Sequence, residues 1–225
     1  MIGYEQSPLD IVKFEVFHLA PFNNGQVEEY AKKWFSIDTE LNPEQQIQKA
    51  GLFLKESKIV PDLRSNPLML ALICNIYRGE NYIPKNRVKV YEKCAEMLYS
   101  RWDKSRGIIS SIEFEDYLES LISELAYWIY SREDLQSGVS EYELIKKSAE
   151  YPCEWIYGNE VKSRKSAKKF VEFCKGRAWI FTSVGISPEG IELFQFTHRT
   201  FLEYFTAANI ANTQTTPEKN VILAL

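Results

Sequence analysis

The feature that most constrains this fold is a change of hydrophobic period near the end of the chain. Residues 191–196, Ile-Glu-Leu-Phe-Gln-Phe, follow an alternating pattern that predicts a strand. Directly afterwards Phe201, Leu202, Phe205 and Ala208 recur at helical spacing, so one face of this helix is expected to pack on a core. Because a strand leads directly into an amphipathic helix, we expect the C-terminal part of the fold to contain both strands and helices.

Helical spacing dominates the remaining sequence. Asn66 as an N-cap and Pro67 in the first turn predict an apolar helix over 67–77, expected at the buried centre of a bundle. Helices are also predicted at 86–105, 114–129, 141–150 and 161–175, the third capped by Ser140, with a loop at 151–158. A strand at 179–184 and a turn at 187–190 complete the pattern, and residues 11–20 resemble an edge strand.

Composition narrows the possible classes of protein. A chain of 225 residues with 45% apolar side chains can fill a substantial core. The net charge of -4 argues against broad electrostatic attraction to nucleic acid or to anionic membranes. No apolar run reaches the ~18 residues of a membrane span, and the first residues lack the pattern of a signal peptide. We therefore expect a cytoplasmic location.

The cysteines do not indicate a metal site or a disulfide framework. They occur at positions 74, 94, 153 and 174, without a CxxC pair or a nearby histidine. Cys74 and Cys94 lie among apolar helix positions, which is typical of small buried side chains. His18 is most simply a strand residue, and we assign it no function.

No catalytic arrangement is evident in the sequence. Gly185 and Gly190 have the spacing of a phosphate-binding loop, but Ile191 and Glu192 replace its lysine and hydroxyl residue. This segment is therefore expected to be a hairpin turn. Carboxylate pairs such as Glu141 and Glu143 are two residues apart on a helix, so they do not face each other. The isolated chain is not expected to be an enzyme.

His198 lies at the predicted start of the last helix. Free backbone N–H groups and the helix dipole favour an anion at such a position, although a hydrogen bond to its own loop would also account for a histidine there. The surrounding string, FQFTHRTFLEYFTA, resembles the motif that closes the NACHT region of STAND-class NTPases. The segment Asn66–Tyr77 is similar to the first helical domain of that family.

The resemblance implies a domain order: residues 1–22 as the last strand and linker of an NTPase core, 23–109 as helical domain 1, 110–212 as a winged-helix domain, and 213–225 as the start of a C-terminal extension. The expected fold is mainly α, a helical bundle followed by a winged-helix domain with a small β-hairpin. The resemblance further implies that the P-loop core belongs to a longer protein and is missing here.

In the family, the histidine of this motif contacts the terminal phosphate of ADP and the proline packs by the base. The resemblance thus implies that His198 and Pro67 contact ADP or ATP, bound with Mg in the missing core. The implied function is the regulatory part of a signalling switch, in innate immunity or anti-phage defence. The implied partners are the chain's own NTPase core, a C-terminal sensor domain and, on activation, further copies in a homo-oligomer. No membrane partner is expected, and nucleic acid is not favoured.

An alternative reading rests on a basic segment. Winged helices often bind DNA through one helix, and residues 162–177 are rich in Lys and Arg. The candidate contacts are Arg164, Lys165, Lys168 and Lys169. The acidic net charge of the chain opposes this function. The basic cluster could equally serve only to keep an exposed helix face soluble. A helical interaction scaffold without any ligand is the third possibility.

Overall fold

Helices make up most of the chain, as the apolar spacing predicts. The computed structural model describes residues 13, 20–98, 117–152, 159–176 and 180–213. These residues form ten α-helices and a three-stranded antiparallel sheet followed by a C-terminal helix, so the predicted mainly α fold is confirmed. Contacts divide the chain into two units, the first Ile11–Met97 and the second from Leu98 onward.

The first unit contains five helices separated by short polar turns. In chain order they are α1 (Asn24–Ser36), α2 (Pro43–Glu56), α3 (Pro61–Ser65), α4 (Pro67–Glu80) and α5 (Arg87–Glu96), with a 3-10 turn at Ser57–Ile59 before α3. Most of these helices begin at an asparagine N-cap or at a proline in the first turn. Asn23, Asn42 and Asn66 each accept a backbone N–H with the side chain, and a proline opens α2, α3 and α4.

Helix α4 is the buried centre that its composition predicts. Leu70 and Ile73 have no exposed surface. Tyr77, near the end of the helix, packs its ring 6.0 Å from Phe35 and 5.5 Å from Phe53. Three aromatic side chains from α1, α2 and α4 therefore form the middle of this core, in the tilted and edge-on arrangements that aromatic rings prefer.

The second unit combines helices with a small antiparallel sheet. Its elements are α6 (Leu118–Tyr130), α7 (Glu133–Gln136), β1 (Val139–Ser140), α8 (Glu141–Pro152), α9 (Glu160–Lys175), β2 (Phe181–Ile186), β3 (Glu192–Phe196) and α10 (Arg199–Thr213). The sheet order is β1-β3-β2, antiparallel throughout. Val139 pairs with Phe194, and Phe181 pairs with Phe196. The sheet is thus a hairpin of β2 and β3 to which the two residues of β1 add a third strand.

The hairpin has one irregularity. The register between β2 and β3 shifts between Ser183 and Gly185, where a β-bulge occurs. At the tip, the Gly190 N–H donates to the Ser187 carbonyl at 2.9 Å, and the positive φ of Gly190 suits a glycine. The predicted turn at 187–190 is confirmed.

Several predicted boundaries are wrong in detail. β2 extends to Ile186, and Tyr151 and Pro152 still belong to α8 although the aromatic-rich sequence predicted a loop. The sequence pattern missed α3, α7 and β1, because elements of two to five residues are too short to display a period.

Some predictions fall outside the described residues. They are the edge strand at 11–20 with His18, the later part of the helix 86–105, the boundary at 109/110, most of the loop 151–158 and the segment after Thr213. Within the ranges that are described, no helix is long and apolar enough to cross a membrane.

Candidate functional site

His198 occupies the cap position at the start of α10. Its carbonyl accepts the N–H groups of Phe201 at 3.1 Å and Leu202 at 3.3 Å, the first hydrogen bonds of the helix. The preceding residue, Thr197, is tied to the entry of β2 because its N–H donates to the Ile180 carbonyl at 2.8 Å. The backbone on both sides of His198 is therefore held by hydrogen bonds.

The imidazole ring of His198 is partly buried. Within the described part of the chain it makes no hydrogen bond or ion pair. Burial removes water from the charged form, and this desolvation lowers the pKa of His198 below its ordinary value. The ring is therefore mainly neutral at pH 7 and keeps one nitrogen as a donor and the other as an acceptor. The local hydrogen bond that offered the alternative explanation does not occur among these residues.

Residues on both sides of His198 in the sequence pack in an aromatic cluster. Phe196, two residues before it, packs 4.9 Å from Phe181 and 6.4 Å from Phe205. Phe201 lies 6.3 Å from Phe205 on the same helix. Since these four rings come from β2, β3 and α10, the strand-to-helix junction is packed on three elements.

The buried face of α10 differs from the predicted one. Phe201 and Phe205 are buried as expected, but Leu202 and Ala208 are only half-buried. The residues buried in addition are Thr206, Asn209 and Ile210. The helix packs mainly on α6, and the polar residues Thr206 and Asn209 of α10 are buried as well. Asn209 is accommodated there because its amide donates to Glu124 at 3.4 Å.

Pro67 begins α4 in the first unit. The Asn66 side chain accepts the N–H groups of Leu68 at 3.0 Å and Met69 at 3.2 Å, so the predicted cap is confirmed. Pro67 itself is exposed, in contrast to the buried residues that follow it. The two candidate nucleotide contacts thus belong to different units, Pro67 to the first and His198 to the second.

Helix α9 exposes its basic side chains and buries most of its apolar ones. The predicted inward stripe of Ala167, Phe170, Val171 and Cys174 is buried, and this prediction is confirmed. The four candidate nucleic-acid contacts, Arg164, Lys165, Lys168 and Lys169, are all exposed on the opposite face. Arg164 lies over the Tyr142 ring at 5.7 Å. These cations therefore share one outward surface of the second unit.

The remaining sequence candidates are structural. Cys74, Cys94 and Cys174 are free and fully buried, and burial raises the pKa of the Cys94 thiol to about 12. They therefore lack the thiolate character of reactive cysteines. Across the described ranges, no group of three or more His, Cys, Asp or Glu side chains is arranged to hold a metal ion.

One cleft was not anticipated from the sequence. It has a volume of about 640 Å³ and lies within the first unit, where Lys55, Lys58 and Arg64 line it. These residues come from the end of α2, the 3-10 turn and α3, so no sequence motif connects them. Only the folded arrangement brings the three cations together.

Comparison with protein-family models, with curated proteins and with solved structures finds no match to this chain.

Proposed function

We propose that this chain is the regulatory part of a NACHT-type STAND NTPase switch. In this proposal it senses ADP or ATP held with Mg by a P-loop core elsewhere in the protein, and it controls opening and oligomerisation. The biological setting is signal transduction in immunity or anti-phage defence. The sequence resemblance at Asn66–Tyr77 and Phe196–Ala208 suggests the family.

The observation that carries the proposal is the state of His198. Its backbone is held by the first hydrogen bonds of α10, while its ring has no partner within the described residues. A positioned but unpartnered donor at a helix start is suited to an incoming phosphate oxygen. Such a contact would connect the winged-helix unit to a nucleotide that another domain holds.

The proposed contact is a hydrogen bond from the His198 ring to the β-phosphate of ADP. Desolvation lowers the pKa of this ring, whereas a neighbouring phosphate would raise it and strengthen the bond by adding charge. Exchange of ADP for ATP opens the switch only if the two nucleotides bind the closed and open states unequally. Pro67 would supply apolar contact to the base.

ADP affinity in two forms of the protein tests this function. Calorimetry would compare this chain alone with the same chain preceded by its P-loop core. We expect only the longer form to bind ADP, and His198→Ala to weaken that binding by about tenfold, as expected for loss of a charge-assisted hydrogen bond. Arg199→Gln is the matched control, because Arg199 is the next residue and, among the described residues, forms its ion pair with Glu203 on its own helix. Equal affinity of the longer form and its His198→Ala variant would contradict the proposal.

The role of Pro67 can be separated from its role in the fold. Pro43 also follows an asparagine N-cap and opens a helix, so Pro43→Ala is a matched control for Pro67→Ala. Both changes should alter stability similarly, because a first-turn N–H has no helical partner in any case. Only Pro67→Ala should reduce ADP affinity in the longer form. Equal loss from both variants would indicate a general effect on folding.

The proposal also predicts that this chain alone does not hydrolyse ATP. Its sequence contains neither the lysine of a phosphate-binding loop nor a magnesium-binding acidic strand, so the isolated chain should not turn over ATP. The measurement is phosphate release with and without Mg. Magnesium-dependent turnover that survives repurification would contradict this expectation.

In the full-length protein, His198→Leu should raise basal signalling. The substitution removes the proposed bond that favours the closed state, so the population shifts toward the open one. Basal output in the absence of a trigger is the measurement. Unchanged output, with the variant protein present at normal level, would argue against a closing role.

A second candidate function is nucleic-acid binding by α9. The observation that favours it is the shared exposed face of Arg164, Lys165, Lys168 and Lys169. If this face binds DNA, replacing the three lysines by glutamine should weaken binding and flatten its dependence on salt. The control replaces Lys32, Lys33 and Lys89, which also lie on exposed helix surfaces but belong to the first unit. Equal effects of the two triple variants would contradict a specific α9 surface.

A further inference from the structure

The cleft of the first unit combines an apolar wall with a group of cations. Phe22, Val27 and Leu54 supply apolar lining, and Lys55, Lys58 and Arg64 supply positive charge. The Phe22 N–H donates to the Ser65 carbonyl at 2.7 Å, which ties the segment just before α1 to the end of α3 beside the cleft. A volume of about 640 Å³ is within the range of small-molecule sites in proteins.

The three cations of the cleft have no ion-pair or hydrogen-bond partner for their side chains within the described part of the chain. From residue 20 to residue 97, every other cationic side chain except Lys85 has an ion pair or a hydrogen bond. Lys55, Lys58 and Arg64 have neither among the described residues. The single carboxylate that lines the cleft, Glu28, is paired with Lys32 at 2.6 Å. Among the described residues, the positive charge of the cleft is therefore not compensated.

Arg64 is the unusual member of this group, because it is buried. Only 7% of its surface is exposed, and its Nε atom has no hydrogen-bond partner among the described residues. A buried charged donor without a partner costs stability, and replacing it with an apolar side chain is often neutral or favourable. Packing alone therefore does not account for an arginine at this position, whereas a ligand that supplies the missing acceptor does.

We propose that this cleft is a binding site for a small phosphate-bearing molecule, with Arg64 as the buried anchor and Lys55 and Lys58 at its rim. The planar guanidinium offers a fork of donors that matches two oxygens of a phosphate, and the two lysines add charge without fixed geometry. Three cations match a phosphate dianion better than a carboxylate, which carries one charge. The apolar wall fits an organic group attached to the phosphate.

This site is independent of the proposed nucleotide switch. All of its residues lie in the first unit, and neither His198 nor a P-loop core takes part. The chain should therefore bind a simple phosphate ester even if the switch proposal fails, and the two proposals can be tested separately.

The test uses the 225-residue chain with phenyl phosphate and inorganic phosphate as probes and benzoate as the matched carboxylate. Because the Arg64 Nε–H is buried, its nitrogen-15 NMR signal reports directly on an acceptor in the cleft. We expect phenyl phosphate to shift this signal and to raise the unfolding temperature, since a ligand of the folded state stabilises it. Inorganic phosphate should bind more weakly because it lacks the organic group, and benzoate about tenfold more weakly because it carries less charge. Benzoate binding as tight as phenyl phosphate would overturn the assignment to phosphate.

Variants locate the site. Arg64→Met should lose at least about tenfold in affinity for phenyl phosphate, while its stability without phosphate stays equal or rises. Lys55→Gln combined with Lys58→Gln changes only exposed side chains and should weaken binding by roughly threefold, so this variant decides the matter if Arg64→Met does not fold. Lys85→Gln is the control, because Lys85 is also unpaired but lies outside the cleft. An equal loss in Lys85→Gln, or an unshifted Arg64 signal at saturating phosphate, would overturn the proposal.

Discussion

At the scale of single residues, His198 and Arg64 are both side chains that are withdrawn from water without gaining a hydrogen-bond partner among the described residues. Each is a nitrogen-bearing side chain at least partly withdrawn from water, and neither ring nor guanidinium has a hydrogen-bond partner in the described chain. Histidine can respond by giving up its proton, but arginine retains its charge at any ordinary pH. Desolvation therefore favours the neutral form of His198, whereas a buried arginine remains a charged donor without an acceptor.

The lowered pKa of His198 predicts how stability depends on pH. The unfolded ring titrates near ~6.5, above the folded value, so the unfolded state binds more protons and stability is lost as the pH falls through the folded pKa. His198→Gln removes this loss. Urea unfolding at ~pH 7.5 and ~pH 5 should therefore give a smaller drop in unfolding free energy for the variant than for the parent chain.

Arg199→Gln serves as the control for this measurement, since it changes the neighbouring residue without changing the histidine. It should retain the pH dependence of the parent chain. An equal or larger drop in His198→Gln would mean that the ring is not held neutral by burial.

Sequence reasoning identified which residues begin helices but not what their side chains face. Asn66 and Pro67 follow local rules of helix initiation, so their positions are evident from adjacent letters of the sequence. The surroundings of Arg64 depend instead on α2, α3 and the start of α1 coming together. Nothing in the local sequence distinguishes that arginine from an exposed one.

At the scale of elements, long helices were predicted correctly from the sequence and very short elements were not. Helices of ten or more residues repeat their apolar spacing several times, so α4, α6, α8 and α9 were all anticipated. β1 has two residues, and its pairing with β3 depends on a partner more than fifty positions away in the sequence. The face of α10 was misjudged because Asn209 is buried by virtue of Glu124 on another helix.

Gly138 is where a single methyl group should disturb an element. It lies just before β1 with φ +136, and a Cβ atom there would stand 2.8 Å from Cβ of Leu193 on β3. We expect Gly138→Ala to lower the free energy of unfolding by at least about 2 kcal/mol, through backbone strain together with this close approach. Denaturant unfolding measures the loss.

Gly79→Ala provides the comparison. Gly79 is inside α4, and a Cβ atom there would meet nothing within 4 Å. Because alanine is the better helix former, this change should raise stability by up to ~1 kcal/mol. If both substitutions had the same sign, the conformation before β1 would not require glycine.

At the scale of the whole molecule, each unit has a core of its own. Leu70, with no exposed surface, belongs to the first core, and Ile122 on α6 has the same burial in the second. The sequence predicted two successive domains, but the predicted boundary at 109/110 falls among residues that the structure does not describe. What the structure adds is the assignment of each buried side chain to one unit or the other.

Leu70→Ala should remove about 2–5 kcal/mol of stability, because it deletes a fully buried side chain from the aromatic-lined centre of the first unit. Hydrogen exchange should report the loss of protection in residues 20–97. Leu52→Ala is the control, since 47% of Leu52 is exposed and its truncation should have little effect. A loss below about 1 kcal/mol for Leu70→Ala would mean that α4 is not the centre of that core.

The bulge in the hairpin has a consequence for how this protein behaves when it is concentrated. Within the described sheet, β3 lies in the middle and β2 pairs on one side only, so β2 offers free backbone groups to a strand from another molecule. Its exposed Ile186 would favour such an association. The register shift between Ser183 and Gly185 interrupts the even row of donors and acceptors that an added strand needs. The irregularity thus protects an open sheet edge from seeding aggregation.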